Sequence, residues 1–178
     1  MTSTLGLRAL LFVLMCVSFV HVEAASAEVI VVDNVDDMIV DVVVCKPNAE
    51  QQALLDLHNN HRREGGQCGR NNKAMSVPLR YNCKLADAAL RHAHDMLDNA
   101  FIGHRGSDGS DLGVRATRVG YQWRRIGENV AEGFTTVAAV NEAWISSEGH
   151  CNNILNGDFT DMGAARVNDY WAVMFGRE

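Results

Sequence analysis

Residues 162–176, MGAARVNDYWAVMFG, contain two largely apolar runs separated by Asn168-Asp169. Asn and Asp tolerate the backbone conformations of tight turns, and apolar runs on either side of such a pair are typical of paired strands. The stretch therefore predicts a β-hairpin with strands at 162–167 and 170–176. Together with a third predicted strand at 125–131, it forms a small antiparallel sheet.

Upstream of and between these strands, apolar residues recur at helical spacing beside capping residues. We predict a helix from Asn48 that ends at Gly65-Gly66, a second from Asn82 to near Asn99, a third over 112–119, and a fourth from 135 or 136 to 145. Helices flanking a small antiparallel sheet predict a layered α+β domain. At 178 residues, the chain is long enough for one domain with a substantial core.

The N-terminal residues 1–27 have the pattern of a signal peptide. Arg8 precedes an apolar run over 9–20, and Ala25-Ser26-Ala27 has the small-residue spacing of a cleavage site. The alternative, a membrane anchor, is disfavoured because the run is short for a bilayer span. We expect cleavage after Ala27, secretion to the extracellular space (or to the periplasm of a bacterium), and no stable membrane anchor afterwards.

Residues 28–47, between the signal peptide and the first helix, are rich in valine and aspartate. The aspartates interrupt steady alternation, so we interpret this segment as a propeptide-like or poorly ordered lead with some local β structure. The folded domain is then expected over 48–178.

The charge balance bears on the classes of partner. Sixteen basic and 22 acidic residues give a net charge of −6. The basic clusters are no longer than Arg124-Arg125 or His61-Arg62-Arg63. Nucleic acid and anionic membranes are therefore not expected as partners.

Four cysteines remain once Cys16 leaves with the signal peptide: Cys45, Cys68, Cys83 and Cys151. An even number in an exported chain predicts two disulfides, with three connectivities open. The alternative, a zinc site of four thiolates, is disfavoured because no C-x2-C pair is present.

The candidate site residues are His104, Glu128 and His150. The two histidines lie in Gly-containing segments, 101–110 and 146–154, that we interpret as loops. Two imidazoles and a carboxylate can form a divalent-metal site or an acid/base site. Glu128 begins an apolar strand, where a carboxylate needs a partner such as an imidazole. The alternatives are structural histidines and a solvated carboxylate at a strand edge.

Other chemistry-bearing patterns are weak. His92 and His94 lie on different sides of one helix, and His58 and His61 are interpreted as packing or hydrogen-bonding residues. The chain has no HExxH motif, no G-x-S-x-G elbow after a strand and no phosphate loop. These absences disfavour zincin proteases, serine hydrolases and nucleotide-binding proteins.

Taken in order, several segments resemble the CAP superfamily (cysteine-rich secretory proteins, antigen 5 and pathogenesis-related proteins), also called the SCP domain. The resemblance covers roughly residues 50–178 and is greatest to short bacterial members. The matching segments are LHNNHR at 57–62, LRYNCKLADAA at 79–89, FIGH at 101–104, RVGY at 118–121, GENVA at 127–131, Trp144 with Gly149-His150, and YWAVMFG at 170–176. The resemblance implies a three-layer α–β–α sandwich with a central cleft.

The resemblance also implies a ligand set for that cleft. Many eukaryotic relatives carry two histidines and two glutamates there and can bind zinc. His104, Glu128 and His150 match three of these positions. The fourth position, three residues after Trp144, is Ser147, which has no carboxylate. An open site of two histidines with water is therefore expected, with zinc as its candidate metal.

Bacterial relatives often join the cysteine of a Cys-Gly pair after the first helix to a cysteine that follows the second histidine. Cys68-Gly69 and His150-Cys151 match those positions. The resemblance thus implies a Cys68–Cys151 bridge, and the remaining Cys45 and Cys83 are then expected to pair.

Three functions remain open from the sequence. The first is a secreted, non-enzymatic binding module for a small apolar ligand, such as a lipid or sterol, or for an extracellular protein, because no nucleophile with an adjacent base is evident. The second is a metal-dependent hydrolase in which zinc on His104 and His150 activates water and Glu128 acts as base. The third is an extracellular scaffold with a vestigial cleft.

Overall fold

The computed structural model describes residues 28–30 and 42–178. The predicted signal peptide and residues 31–41 of the lead lie outside the described residues. Helices in the described part are α1 Ala49–Glu64, α2 Cys83–Asp98, α3 Leu112–Arg118, α4 Val137–Ser146 and α5 Glu148–Ile154. Strands there are β1 Glu28–Ile30, β2 Val42–Val44, β3 Gly66–Cys68, β4 Asn71–Lys73, β5 Arg80–Tyr81, β6 Arg125–Ala131, β7 Asp161–Val167 and β8 Tyr170–Arg177.

The central sheet has four strands in the order β5-β7-β8-β6. The predicted hairpin is confirmed as β7 and β8, and its turn residue Asn168 has a φ of 54°. β6 pairs antiparallel with β8, as predicted. β5 was not predicted; it is a two-residue strand that pairs parallel with β7, so the antiparallel sheet has one parallel edge.

Both faces of the sheet are covered by helices. Side chains alternate along β8, so Val173 and Phe175 pack into the core cluster that contains α1, α4 and α5 residues. Ala172 and Met174 pack into a second cluster that is built mainly on α2. The expected three-layer α–β–α sandwich is confirmed, and the hairpin is its middle layer.

Helix starts follow the predicted capping residues. Asn48 forms a capping box with Gln51 at the start of α1, and the side chain of Asn82 accepts from two backbone N–H groups of α2. The interpretation of 146–154 as a loop was wrong, because most of this segment forms helix α5, in which Gly149 lies within the first turn. α5 has only seven residues, and Gly149 in its first turn weakens the helical signal that Ser147 and Glu148 give at its start.

The two disulfides are Cys45–Cys83 and Cys68–Cys151, as the family resemblance implied. The four-thiolate zinc site is therefore wrong. Cys68–Cys151 ties β3 to α5 and is buried, with both residues 1% exposed. The bond holds α5 against the β3–β4 hairpin, although the two cysteines are 83 residues apart in sequence.

Gly163 of β7 marks the closest approach of the sheet to α2. A Cβ atom there would lie 2.0 Å from the backbone nitrogen of Ala86. We expect Gly163→Ala to lower the free energy of unfolding by about 3 kcal/mol, because helix and strand must separate. Gly149→Ala, in open space on α5, is the control and should leave stability unchanged or slightly raised. Urea unfolding of both variants checks this, and equal stabilities would contradict it.

Candidate functional site

Glu128 is the centre of the candidate site. It lies on β6 and is 3% exposed, so the alternative of a solvated strand-edge carboxylate was wrong. Its Oε1 atom is 2.9 Å from Nδ1 of His104, and its Oε2 atom is 2.6 Å from a guanidinium nitrogen of Arg115. Both carboxylate oxygens are therefore occupied, and the predicted imidazole partner is confirmed as His104.

The free edge of β6 is closed by side chains from the neighbouring helices. The carbonyl of Glu128 accepts from Asn153 of α5, and the carbonyl of Val130 accepts from the indole of Trp144 of α4. Because strand residues alternate, Glu128 shares a face with Val130, which packs toward α2. The hydrogen bonds from Asn153 and Trp144 therefore fix the strand that carries the Glu128 carboxylate.

His104 lies in the loop between α2 and α3, and its side chain is 56% exposed. The hydrogen bond to Glu128 raises the pKa of His104 above its ordinary value, against an opposing effect of partial burial. Since Nδ1 is bound to the carboxylate, Nε2 is the ring nitrogen left for a ligand.

His150 lies on α5, on the side of β6 toward which Asn129 points: the amide of Asn129 donates to the carbonyl of His150. Its ring lies 6.5 Å from that of Trp144. Burial lowers the pKa of His150, and repulsion from His104 lowers it further, so His150 is neutral at neutral pH. The two imidazoles thus lie within electrostatic range of each other.

Two residues that sequence reasoning did not assign to the site contact Glu128. Arg115 of α3 is 6% exposed and also donates to the carbonyl of His104. His92 of α2, which the sequence analysis did not connect with the site, is 1% exposed and has Nε2 3.8 Å from Oε1 of Glu128. The same nitrogen lies 2.7 Å from the carbonyl of Gly103. A polar residue within the apolar stripe of α2 was the one sequence signal for His92.

The fourth carboxylate of the family pattern has no substitute here. Ser147 is the residue that precedes α5, and its side chain makes no capping bond. Glu148 binds the side chain of Asn71 and lies against Gly69 of the β3–β4 hairpin. Over 42–178, no three His, Cys, Asp or Glu side chains are grouped as metal ligands. Of the predicted ligand set, the structure therefore supplies the imidazoles of His104 and His150 and no further carboxylate beside Glu128.

A separate groove of about 490 Å³ runs along α3. Its apolar wall is formed by Leu112, Val114, Trp123 and Ile126. Trp123 is 40% exposed, although its indole N–H bonds the carbonyl of Gly113. None of the candidate site residues lines this groove.

No helix in the described part of the chain is long and apolar enough to cross a membrane.

Comparison with known proteins identifies relatives of this chain. The family model described as the cysteine-rich secretory protein family (CAP) matches residues 55–174. The uncharacterized protein YkwD of Bacillus subtilis is 30% identical over 131 residues, which are 72% of this chain and 47% of that protein. The chain thus spans about half the length of this curated relative.

Solved structures share the fold. An extracellular protein of Bacillus anthracis that contains an SCP domain is 29% identical, with a TM-score of 0.65 over 74% of this chain and 41% of that one. The structure of NaASP2 with Zn²⁺ is 16% identical, with a TM-score of 0.52 over 74% of this chain and 84% of that one. The match to the family model over 55–174, in a chain with this sandwich and these disulfides, shows that the protein belongs to the cysteine-rich secretory protein (CAP) family.

Proposed function

We propose that this protein is a secreted, non-enzymatic binding module whose His104/His150 pair holds a divalent metal such as Zn²⁺. The observation that carries the proposal is that both carboxylate oxygens of Glu128 already have hydrogen-bond partners. Its oxygens accept from His104 and Arg115, and the residue is almost wholly buried. A carboxylate held in this way orients an imidazole for a ligand.

The same observation disfavours the hydrolase alternative. A general base needs an accessible lone pair within hydrogen-bond reach of the proton that it removes. Glu128 has an ion pair with Arg115 at one oxygen and a bond to His104 at the other. Its role in this proposal is therefore to fix His104.

The chemistry of the two imidazoles suits a metal. His104 offers Nε2 because Glu128 holds Nδ1, and a lowered pKa keeps His150 in the neutral form that metals bind. A bound Zn²⁺ would act as a Lewis acid and coordinate an oxygen atom of a ligand. NaASP2, which shares the fold, was solved with Zn²⁺.

Several features support export. Two disulfides indicate an oxidising compartment. Residues 1–27 have the signal-peptide pattern, and the Bacillus anthracis neighbour is described as extracellular. We propose secretion with cleavage after Ala27, which mass spectrometry of the protein recovered from its native medium would test.

The groove along α3 supports binding of a small apolar ligand. Its wall carries four apolar side chains, and Trp123 is held in place by hydrogen bonds to Gly113 and Thr117. An apolar ligand there would shift the fluorescence of the exposed indole. An extracellular protein partner is the alternative occupant of the module.

A zinc titration by calorimetry tests the metal proposal. We expect one Zn²⁺ per chain, with the affinity lowered at least tenfold in His104→Ala and in His150→Ala because each removes one of two protein ligands. His94→Ala, on α2, is the control and should bind like the wild type. Unchanged affinity in both site variants would refute the metal proposal.

A second assay separates binding from hydrolysis. The metal-loaded protein is incubated with libraries of peptides and esters, and we expect no turnover. Turnover by the wild type that depends on the added metal and is lost in His104→Ala would instead overturn the non-enzymatic proposal.

A further inference from the structure

We infer that Arg115 is the positioning residue of the His104 site: it anchors both the carboxylate that holds the His104 ring and the backbone of His104 itself. The inference rests on the proposed function in taking His104 as a ligand-binding residue. The arrangement of Arg115, Glu128 and His104 can nevertheless be tested in the metal-free protein.

The contacts of Arg115 converge on this site. One terminal nitrogen lies 2.6 Å from Oε2 of Glu128 and 3.1 Å from the carbonyl of His104. The other terminal nitrogen lies 3.2 Å from the carbonyl of Ser110. The guanidinium therefore joins β6 to two points of the loop that carries His104, one at His104 itself and one near the start of α3.

Burial makes this connection rigid. The side chains of Arg115 and Glu128 are 6% and 1% exposed, so their ion pair is screened little by water. An ammonium group could supply the charge, but it could not place two planar terminal nitrogens against three acceptors on two elements. A positive charge alone is therefore not enough to replace the hydrogen bonds that Arg115 makes to Glu128, His104 and Ser110.

The consequence for His104 is a fixed ring. With Oε2 of Glu128 held by Arg115, Oε1 is directed at Nδ1 of His104. With the His104 carbonyl held by the same nitrogen, the ring cannot swing away with its loop. Neutral His104 is therefore confined to the Nδ1–H tautomer, with the lone pair on Nε2 available to a metal.

The first test uses the unmodified, metal-free protein. Nitrogen NMR of the histidine rings, recorded well above the pKa of His104, should show the Nδ1–H tautomer for His104. The terminal N–H protons of Arg115 should give separate, slowly exchanging signals, whereas those of Arg118, exposed on the same helix, should be averaged. Averaged Arg115 signals or an Nε2–H tautomer of His104 would overturn the inference.

The second test separates charge from geometry. Arg115→Lys keeps the charge and Arg115→Met removes it, while Arg118→Met is the control. We expect both Arg115 variants to shift His104 toward the Nε2–H tautomer and to lower zinc affinity ten- to a hundredfold, and the control to do neither. A wild-type tautomer in Arg115→Lys would contradict positioning. If even the wild type binds no zinc, the metal proposal fails while the tautomer measurements still decide the role of Arg115.

Discussion

Arg62→Met will lower the free energy of unfolding by about 5 kcal/mol, because it leaves four backbone carbonyl groups, two of them in buried hydrogen bonds, without their donor. Arg62 of α1 is fully buried and donates to four backbone carbonyls. These carbonyls belong to Val77, Ile154, Asn156 and Phe159. Val77 precedes β5, Ile154 ends α5, and Asn156 and Phe159 lie between α5 and β7, so one guanidinium fixes two connections of the chain.

Arg63→Met is the matched control, since Arg63 is the exposed neighbour on the same helix. Its effect should stay within about 0.5 kcal/mol. Chemical denaturation followed by circular dichroism measures both variants. If Arg62→Met were no less stable than Arg63→Met, the hydrogen bonds of Arg62 would not support the fold as described.

Acidification will destabilise the protein through His58, and His58→Leu will remove this part of the pH dependence. His58 is completely buried and stacks on Phe175 at 5.7 Å. Neither ring nitrogen has a hydrogen-bond partner among the described residues. Burial, followed by repulsion from His61 and Arg62, lowers the pKa of His58 from 6.5 to about 3.

The sign follows from the direction of this shift. Below pH 6.5 the unfolded chain binds a proton at His58, whereas the folded chain does not bind it until the pH approaches 3. The free energy of unfolding therefore falls as the pH falls through this window. The loss reaches about 4 kcal/mol near the lower end. The difference between wild-type and His58→Leu unfolding free energies should follow this curve, and parallel pH profiles would show that His58 does not cause the loss.

Much of the architecture could be predicted because its signals are local. The turn at Asn168 and the caps at Asn48 and Asn82 each depend on a few neighbouring residues, and all three lie where expected. The disulfide pairing was available only through family resemblance, since spacing alone allowed three connectivities. β5 was missed because two residues are too few to show a period, and α5 because it has only seven residues with Gly149 in its first turn.

The candidate site was predictable only in part. Glu128, in a strand whose following residues are apolar, required a partner, and that partner is His104. Arg115 could not be identified from sequence, because arginine on a short helix is ordinarily solvated and its contact with Glu128 depends on how α3 packs against β6. Helical phase placed His92 and His94 on different sides of α2, but it does not show that His92 lies beside Glu128.

Diffraction at the zinc absorption edge, from crystals grown with Zn²⁺, shows whether the two imidazoles hold a metal. We expect an anomalous peak bonded to Nε2 of His104 and to the ring of His150, with Glu128 still hydrogen-bonded to Nδ1 of His104 and absent from the metal's ligands. A peak ligated by Glu128, or zinc bound elsewhere while both imidazoles stay free, would contradict it.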